Sequence, residues 1–147
     1  MKKRFRKGVF IVTYRKEKDK ITYLLLKRKL HWIGWEFPKG GVEKFELRKR
    51  AVKRELKEET GQSSNNIKNF KIKGKYKYHK PLRDRPGFIG QSYKLYSAEI
   101  KNKKVIFDKR EHSTYRWIPY KKALKQLTWQ NQRKCLKIVN DYLNRKI

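Results

Sequence analysis

The stretch from Gly40 to Gln62, GGVEKFELRKRAVKRELKEETGQ, carries the strongest pattern in the chain. Between Glu46 and Thr60 it contains no Pro or Gly, and it is rich in Leu, Ala, Glu, Lys and Arg, which all favour a helix. Gly61 follows directly, and glycine is the residue that most often ends a helix. The pattern therefore predicts a helix from Glu46 to Thr60 that ends at Gly61.

Three carboxylates, Glu55, Glu58 and Glu59, fall within an arc of about 100° on this predicted helix, at about 100° per residue. They repel one another, and they lie near the helix C-terminus, where the helix dipole disfavours anions. A divalent cation would turn this repulsion into ligation, because Mg²⁺ and Mn²⁺ prefer oxygen ligands. The alternative is a solvated helix whose glutamates pair with Lys and Arg four residues away.

The spacing of the stretch resembles the Nudix box: Gly, five residues, Glu, seven residues, then Arg-Glu-apolar-any-Glu-Glu-any-Gly-apolar. A match of this length is far more specific than a lone glycine pattern. The only departure is Gln62, which stands where the box has an apolar residue. The matching positions are Gly40, Glu46, Arg54, Glu55, Glu58, Glu59 and Gly61.

The resemblance implies roles for these residues. The carboxylates of Glu55, Glu58 and Glu59 would bind the metal, Mg²⁺ or Mn²⁺, and the Gly40 carbonyl would be a further ligand. Glu46 and Arg54 would brace a loop–helix–loop. Because Gln62 lies past the helix end, its departure from the box concerns packing there and leaves the ligand set intact.

Composition bounds the rest of the interpretation. The chain has 147 residues, 37% hydrophobic, with a single cysteine and a formal net charge of +30. One domain over residues 1–147 with a real core is expected. One cysteine excludes an intramolecular disulfide, and no apolar run is long enough for a signal peptide or membrane span, so a cytoplasmic protein is expected. The positive charge indicates either that the protein attracts polyphosphates or RNA, or that the codon bias of an AT-rich genome places lysine over the whole surface.

Alternating and apolar runs predict the remaining elements. Strands are expected at 8–14, 21–26, 32–37, 70–79, 88–100 and 115–118, with a charged turn at 16–20, a polar loop at 63–69 and two C-terminal helices. Strands mixed with helices in one composition zone predict an α/β fold, specifically an α/β/α sandwich with a mixed sheet. The Nudix resemblance implies the same fold, with the box as a loop–helix–loop against the sheet.

Three further strings resemble two Nudix branches, one hydrolysing diadenosine tetraphosphate and related dinucleoside polyphosphates, the other removing pyrophosphate from RNA 5′ ends. Residues 35–41 read WEFPKGG, residues 85–91 read RPGFIGQ, and residues 111–118 read EHSTYRWI. By resemblance, Glu111 is an additional carboxylate that reaches the metal or activates water. Glu58 and Glu111 are both candidates for the general base. The other interpretation of Glu111 is a surface residue among basic neighbours.

Candidate substrate-binding residues flank the box. Lys39 is expected to meet a phosphate, and Arg28, at the end of the second strand, either faces the phosphates or is solvated. Tyr78 alternates with lysines, so it could stack on a nucleobase or pack across strands. Gln91 could contact a phosphate or simply end a strand.

The histidines and the cysteine carry weaker signals. His31 and His79 are expected at the polar surface, whereas His112, beside Glu111, could assist the site. Cys135 has no nearby base and lies next to Leu136 in a predicted helix, so a core thiol is expected.

These observations predict a metal-dependent pyrophosphohydrolase acting on dinucleoside polyphosphates or on 5′-triphosphate RNA. Two alternatives remain open: a nucleotide-pool sanitising triphosphatase, and a non-catalytic RNA-binding module that uses the same fold. The oligomeric state cannot be predicted from the sequence.

Overall fold

The structure, a computed structural model, describes residues 4–145. No helix in this range combines the length and apolar character needed to cross a membrane. The elements in chain order are β1 (Arg4–Glu17), β2 (Lys20–Arg28), β3 (Gly34–Glu36), β4 (Lys39–Gly41), α1 (Arg48–Thr60), β5 (Ile67–Lys77), β6 (Phe88–Glu99), β7 (His112–Pro119), α2 (Tyr120–Gln126) and α3 (Gln130–Arg145).

The seven strands form one mixed sheet. The main path runs β3-β2-β1-β6-β5, while β4 pairs with β1 and β7 pairs with β2. Only β1 and β6 run parallel, with Gly8 beside Tyr93 and Tyr14 beside Glu99, and the other pairs are antiparallel. A mixed sheet with helices on both faces confirms the predicted fold class.

Alternation along β1 divides the core between the two faces of the sheet. Phe10 and Val12 face the cluster that includes α2 and α3, whereas Val9 and Ile11 face the cluster that includes α1. Both clusters are fully buried at these positions. Because successive residues of a strand point to opposite faces, one continuous apolar run serves both layers. Cys135 lies buried in the α3 cluster, which confirms the expected core thiol.

Helix α1 begins two residues later than predicted, because Leu47 takes an extended conformation and acts as the N-cap. It ends as predicted: Gly61 has a φ of 76°, in the left-handed region, and its N–H donates to the carbonyl of Lys57. Ala51, Val52 and Leu56 face the sheet. The buried face of the helix also includes Glu55 and Glu59, so two carboxylates enter the interior with the apolar residues.

Several predicted bounds were wrong. The charged turn at 16–20 is mostly strand, since only Lys18 and Asp19 separate β1 from β2, and Lys18 has a φ of 56°. The polar loop predicted at 63–69 ends earlier, because β5 begins at Ile67. The short strand β4 was not predicted. It forms through pairing with β1, and pairing between distant segments leaves no periodic signal in three residues.

Candidate active site

A small cleft, here called the acidic cleft because three glutamates line it among four cationic side chains, lies where the C-terminal half of α1 meets strand β4. Its volume is about 60 Å³. Carboxylates from α1 and from the loop before β7 share it with cations from β1, β2 and the loop before β6. The lining residues are Arg6, Arg28, Lys39, Gly40, Gly41, Glu55, Glu58, Arg85, Gln91 and Glu111. Six of the residues singled out in the sequence for metal or phosphate binding therefore border one space, together with Gln91.

Arg54 joins the loop before α1 to the helix itself. Its guanidinium donates two hydrogen bonds of 2.8 Å to the Glu46 carboxylate and one of 2.7 Å to the Gly41 carbonyl. A further bond of 2.7 Å reaches Glu55 Oε1. Hydrogen bonds from Arg54 hold the pKa of Glu46 down at about 2. This geometry matches a bracing role for the Glu46–Arg54 pair.

Glu55 lies directly beneath Gly40. A Cβ at position 40 would overlap the Glu55 carboxyl group, so only glycine lets β4 pass this closely. Burial raises the pKa of Glu55 to about 8, against the opposing influence of Arg54. Even beside Arg54, and without a metal ion, burial therefore favours the protonated form of this carboxyl group at neutral pH.

Behind the cleft, His112 lies between two buried carboxylates. Its Nε2 donates to Glu36 Oε2 at 2.7 Å, and its Nδ1 lies 3.1 Å from Glu59 Oε2. All three side chains are at most 2% exposed. The contacts among these three side chains thus connect β3, β7 and α1 through the interior.

The charges of Glu36, His112 and Glu59 stabilise one another. Burial lowers the pKa of His112, but its contacts with Glu36 and Glu59 outweigh this and raise it to about 9. Burial raises the pKa of Glu36, and the charges of Lys39, His112 and Arg28 overcome that and hold it at about 2. A charged imidazolium at neutral pH fits this position, because both of its nitrogens carry a proton and each lies beside a carboxylate.

Glu59 differs from Glu36 because fewer cations surround it. Burial raises its pKa to about 7 although His112 opposes the shift. Among the described residues, no well-aligned hydrogen bond reaches its Oε2. One ligand atom each from Glu59, Glu111 and His112 lie within 4.8 Å of one another. Glu111 thus links the buried carboxylate to the cleft.

This donor set fits a divalent metal ion. Glu55, Glu58, Glu111 and the backbone at Gly40 border the cleft, and hard oxygen donors of this kind suit Mg²⁺ or Mn²⁺. The pKa values of Glu55 and Glu59 are raised because Arg54 and His112 do not fully offset the burial of these carboxyl groups, and a bound cation would favour their ionised forms. The Glu58 side chain is 53% exposed, and its Oε1 lies 3.5 Å from Arg54 Nη1 in an exposed ion pair, which constrains it only weakly.

Arg28 and Lys39 do not only face the cleft, because both also contact a buried carboxylate. Arg28 is 4% exposed, which excludes the solvated interpretation, and its Nη1 donates to Glu36 Oε2 at 3.1 Å. Lys39 Nζ lies 3.6 Å from Glu36 Oε1 and donates to the Tyr76 hydroxyl at 3.1 Å. Both side chains still line the cleft. Their counter-ion, Glu36, was not singled out in the sequence, where only its position between Trp35 and Phe37 hints at a buried charge.

A larger cavity of about 480 Å³ adjoins the cleft and shares Arg28, Lys39 and Arg85 with it. Its walls are aromatic. Trp32 and Trp129 meet edge to face at 5.2 Å between ring centroids, and the His79 ring lies 5.4 Å from Trp129. The remaining lining residues are His31, Tyr76, Lys77, Tyr78, Lys80, Leu82, Gln130, Asn131 and Gln132.

Sequence reasoning missed the two tryptophans of this aromatic cavity. They are 97 positions apart, as their numbers 32 and 129 show, and neither belongs to a recognisable motif. Tyr78, which was singled out, lines the cavity at its basic side. Its hydroxyl receives a 3.0 Å hydrogen bond from Arg85 Nη1 and lies 3.4 Å from Gln91 Oε1. Gln91 is itself buried and lines the cleft.

The prediction that His31 is a polar surface position was wrong. Its Nε2 lies 3.1 Å from both oxygens of Asp84, and its Nδ1 lies 3.3 Å from Arg28. Its side chain is only 15% exposed, and burial lowers its pKa. Because it follows strand β2 in the left-handed region, with a φ of 72°, it turns back over the cavity. His79 is exposed as expected, although its ring forms part of the cavity wall.

Comparison with known proteins gives matches over most of the chain. The family model of the NUDIX domain matches residues 4–137. An RNA pyrophosphohydrolase from Nitratiruptor sp. is 31% identical over 134 residues, which cover 87% of this chain and 86% of that protein. RNA pyrophosphohydrolases from Pseudomonas aeruginosa are 31% identical over 108 residues, covering 66% of this chain and 68% of theirs.

Solved structures show the same fold. A binary complex of the C. elegans Ap4A hydrolase superposes with a TM-score of 0.76 at 24% identity, covering 95% of this chain and 98% of that one. A NUDIX hydrolase from Listeria monocytogenes gives a TM-score of 0.78 at 20% identity, with 98% and 97% covered.

Proposed function

Because the chain belongs to the Nudix hydrolase family, we propose that it uses Mg²⁺ or Mn²⁺ to cleave a phosphoanhydride bond at the 5′-triphosphate end of RNA. The observation that carries this proposal is the junction of the acidic cleft and the aromatic cavity, which share Arg28, Lys39 and Arg85. A nucleotide polyphosphate needs this combination of a carboxylate site, adjoining cations and a place for a base. The curated relatives named RNA pyrophosphohydrolase favour RNA as the substrate.

The carboxylates of Glu55, Glu58, Glu59 and Glu111, with the Gly40 carbonyl, would hold the metal. A bound divalent cation supplies charge stabilisation on the phosphate oxygens and favours ionised water. The Glu46–Arg54 pair keeps the loop before α1 in place, so that Gly40 stays against Glu55.

The chain's own residues carry out the proton transfer. Glu58 and Glu111 both border the cleft and are the candidates for accepting the proton of the attacking water. Burial favours the protonated form of Glu55 in the metal-free protein, and a bound cation would displace this proton so that the carboxylate becomes a ligand. The imidazolium of His112 orients the Glu59 carboxylate from behind.

Cations and rings position the substrate. Arg28, Lys39 and Arg85 line the passage between the two spaces, where they would bind the phosphates that do not react. The rings of Trp32 and Trp129 would stack on the first bases of the RNA. An RNA substrate and a single reduced cysteine both suit a cytoplasmic enzyme.

A second candidate substrate is a dinucleoside polyphosphate such as diadenosine tetraphosphate. A volume of about 480 Å³ accommodates a nucleoside as well as it does the start of an RNA chain. The fold shared with the C. elegans Ap4A hydrolase makes this substrate the natural comparison.

The test is a hydrolysis assay with Mg²⁺ that offers three substrates in parallel: 5′-triphosphate RNA, diadenosine tetraphosphate and a deoxynucleoside triphosphate. Wild type should release pyrophosphate from RNA with the highest kcat/KM, and Glu58→Gln or Glu111→Gln should abolish it. Preference for diadenosine tetraphosphate would establish the second candidate, and preference for the deoxynucleoside triphosphate a pool-sanitising role. No turnover, together with RNA binding that persists in EDTA, would show a non-catalytic RNA-binding module.

A further inference from the structure

Part of the sheet face on the α1 side is not covered by the helix. Residues that are register partners in neighbouring strands point to the same side of a sheet. Lys7 and Lys75 both pair with Ser92, and Lys73 pairs with Lys94. Five lysines from β1, β5 and β6 therefore share this surface, here called the lysine face: Lys7, Lys73, Lys75, Lys77 and Lys94.

The charge of the lysine face is not balanced locally. Strand β5 carries no acidic residue, and the only one in β6 is Glu99, at its far end. Among residues 4–145, no ion pair joins any of the five lysines to a carboxylate. This contrasts with Arg54, Arg28 and Lys39, each of which has at least one carboxylate partner. The carboxylates of the described residues lie in the cleft and elsewhere, so none of them neutralises the positive charge of the lysine face.

An aromatic ring lies among these lysines. Phe5 pairs with Gly90, which also pairs with Lys77, so Phe5 belongs to the same side of the sheet. It is half-buried, and Lys75 Nζ lies 4.8 Å from its ring centroid. Alternate residues of a strand are about 7 Å apart, so Lys73, Lys75 and Lys77 form a regular row. Rings with regularly spaced cations are the combination that binds single-stranded nucleic acid without sequence preference.

The lysine face adjoins the site around one edge of the sheet. Lys77, at one end of the row, also lines the aromatic cavity, whereas Arg6, next to Lys7, lines the acidic cleft from the opposite side of the sheet. Because β5 is the edge strand, a chain whose 5′ end lies in the cleft would reach the lysine face by passing around β5.

We propose that the lysine face binds the single-stranded RNA downstream of the 5′ end that is cleaved. This inference rests on the proposed function for the identity of the substrate, and on the placement of the five lysines for the path of the chain. It makes the length of the RNA, beyond its first nucleotides, a determinant of affinity. The contacts are with the phosphate backbone, so they are sequence-independent and salt-dependent.

The experiment compares two variants with the same loss of charge. The first, K7Q/K73Q/K75Q/K94Q, removes the lysine face and spares Lys77, which also lines the cavity. The matched control, K16Q/K20Q/K101Q/K104Q, removes four exposed lysines near the β1–β2 turn and after β6. Thermal unfolding of both variants first establishes that they are folded.

Binding is measured by fluorescence anisotropy with a 5′-hydroxyl single-stranded RNA of about 20 nucleotides, longer than the sites of known single-strand modules. The lysine-face variant should bind at least about tenfold more weakly, and its salt slope should be shallower by up to about 3, at about 0.7 per phosphate contact. The control variant should stay near wild type. Equal weakening of both variants, no weakening of either, or a preference for duplex RNA would overturn the inference.

Turnover separates this inference from the proposed function. With a triphosphorylated dinucleotide, the lysine-face variant should retain wild-type kcat and KM, because that substrate is too short to leave the cavity. With the longer triphosphorylated RNA its KM should rise. Equal KM changes for the two lengths would overturn the inference while leaving the pyrophosphohydrolase intact. If no substrate turns over but the face variant still loses RNA binding, the proposed function fails and the binding surface stands.

Discussion

The acidic cleft and the aromatic cavity are neighbours built on opposite principles. The cleft is about 60 Å³ and lined by carboxylates, cations and glycine, whereas the cavity is about 480 Å³ and walled by rings. Around the cleft, the positions of the side chains are set by charge pairs such as Arg54–Glu46 and His112–Glu36. In the cavity, they are set by ring contacts such as Trp32–Trp129.

This difference separates two tasks. The cleft would fix the atoms that react, and the cavity would bind the rest of the substrate. Charge pairs in a buried site hold oxygen atoms to within small distances, which chemistry at phosphorus requires. Ring surfaces tolerate sliding and accept any base, which would suit the proposed RNA substrate, whose 5′ nucleotide varies. Substitutions in the cleft should therefore change kcat or metal dependence, and substitutions in the cavity should change KM.

The largest effect is expected at Glu58. Glu58→Gln keeps the size of the side chain but removes a proton acceptor and a charged ligand, so kcat should fall by about 10²–10⁴-fold. Steady-state hydrolysis of 5′-triphosphate RNA measures it. The control, Glu43→Gln, changes an exposed carboxylate outside the cleft and should alter kcat by less than about threefold. A mild Glu58→Gln phenotype beside a severe Glu111→Gln one would transfer the role of base to Glu111.

Next in size is the effect of removing the imidazolium behind the cleft. His112→Gln leaves Glu59 without its cationic neighbour, so metal affinity should fall by about 10–100-fold. The measurement is the Mg²⁺ concentration that gives half-maximal activity, together with the melting temperature in EDTA. Recovery of kcat at high Mg²⁺ would identify a positioning role. His79→Gln, in the cavity wall, is the contrast: it should shift KM and leave the Mg²⁺ dependence unchanged.

A smaller effect is expected in the cavity. Trp129→Leu removes a ring that would stack on a base, at a cost of about 1–3 kcal/mol. KM for RNA should rise by about 5–150-fold, with kcat within about threefold. Trp129→Phe, which keeps a ring, should recover most of the loss. A kcat defect in the leucine variant with unchanged KM would contradict the division between cleft and cavity.

The smallest effect concerns stability in the absence of metal. The pKa of Glu55 is raised to about 8, from an ordinary value near 4.5, so the folded protein holds a proton that the unfolded chain has released. Between these values the unfolded state binds fewer protons, and stability falls as pH rises. His112, raised to about 9, acts in the same direction above about pH 6.5.

We therefore expect the melting temperature in EDTA to decline by several degrees from pH 5 to pH 8. Glu55→Gln, which cannot ionise, should flatten part of this decline while weakening the response to Mg²⁺. Glu46 works oppositely, because its pKa is lowered to about 2, and its contribution is lost only below about pH 4.5. A rise of stability between pH 5 and pH 8 in EDTA would show that Arg54 offsets the burial of Glu55 in full, contrary to its raised pKa.

The cleft was largely predictable from the sequence and the cavity was not. Glu55, Glu58 and Glu59 recur within five positions of one helix, and a short local pattern shows which way each points. Glu111 was found only through resemblance of the string around it. Trp32 and Trp129 come together because β3 and the start of α3 meet, and no local pattern encodes that meeting.

The contact between the buried side chains of Glu36 and His112 was also not predicted from the sequence. Glu36 and His112 lie in different strands, and both neighbour β2: Leu26 pairs with Glu36, and Arg28 pairs with His112. Periodicity predicts that a residue is buried but says nothing about its neighbour across a sheet. The same reasoning explains why β4 was missed and why Arg28 could not be assigned to solvent or interior.

The parallel pairing of β1 with β6 has a consequence for how the protein is made. β1 ends at Glu17 and β6 does not begin until Phe88, yet they lie side by side at the centre of the sheet. While the chain is being synthesised, β1 and β2 can form a hairpin and α1 can begin to coil. The central strand β1 can pair fully with β6 only after the chain has been synthesised as far as residue 99. Glu111 and His112 come later still, so the proposed metal site is expected to be completed last, in a slow step governed by the closure of a long loop.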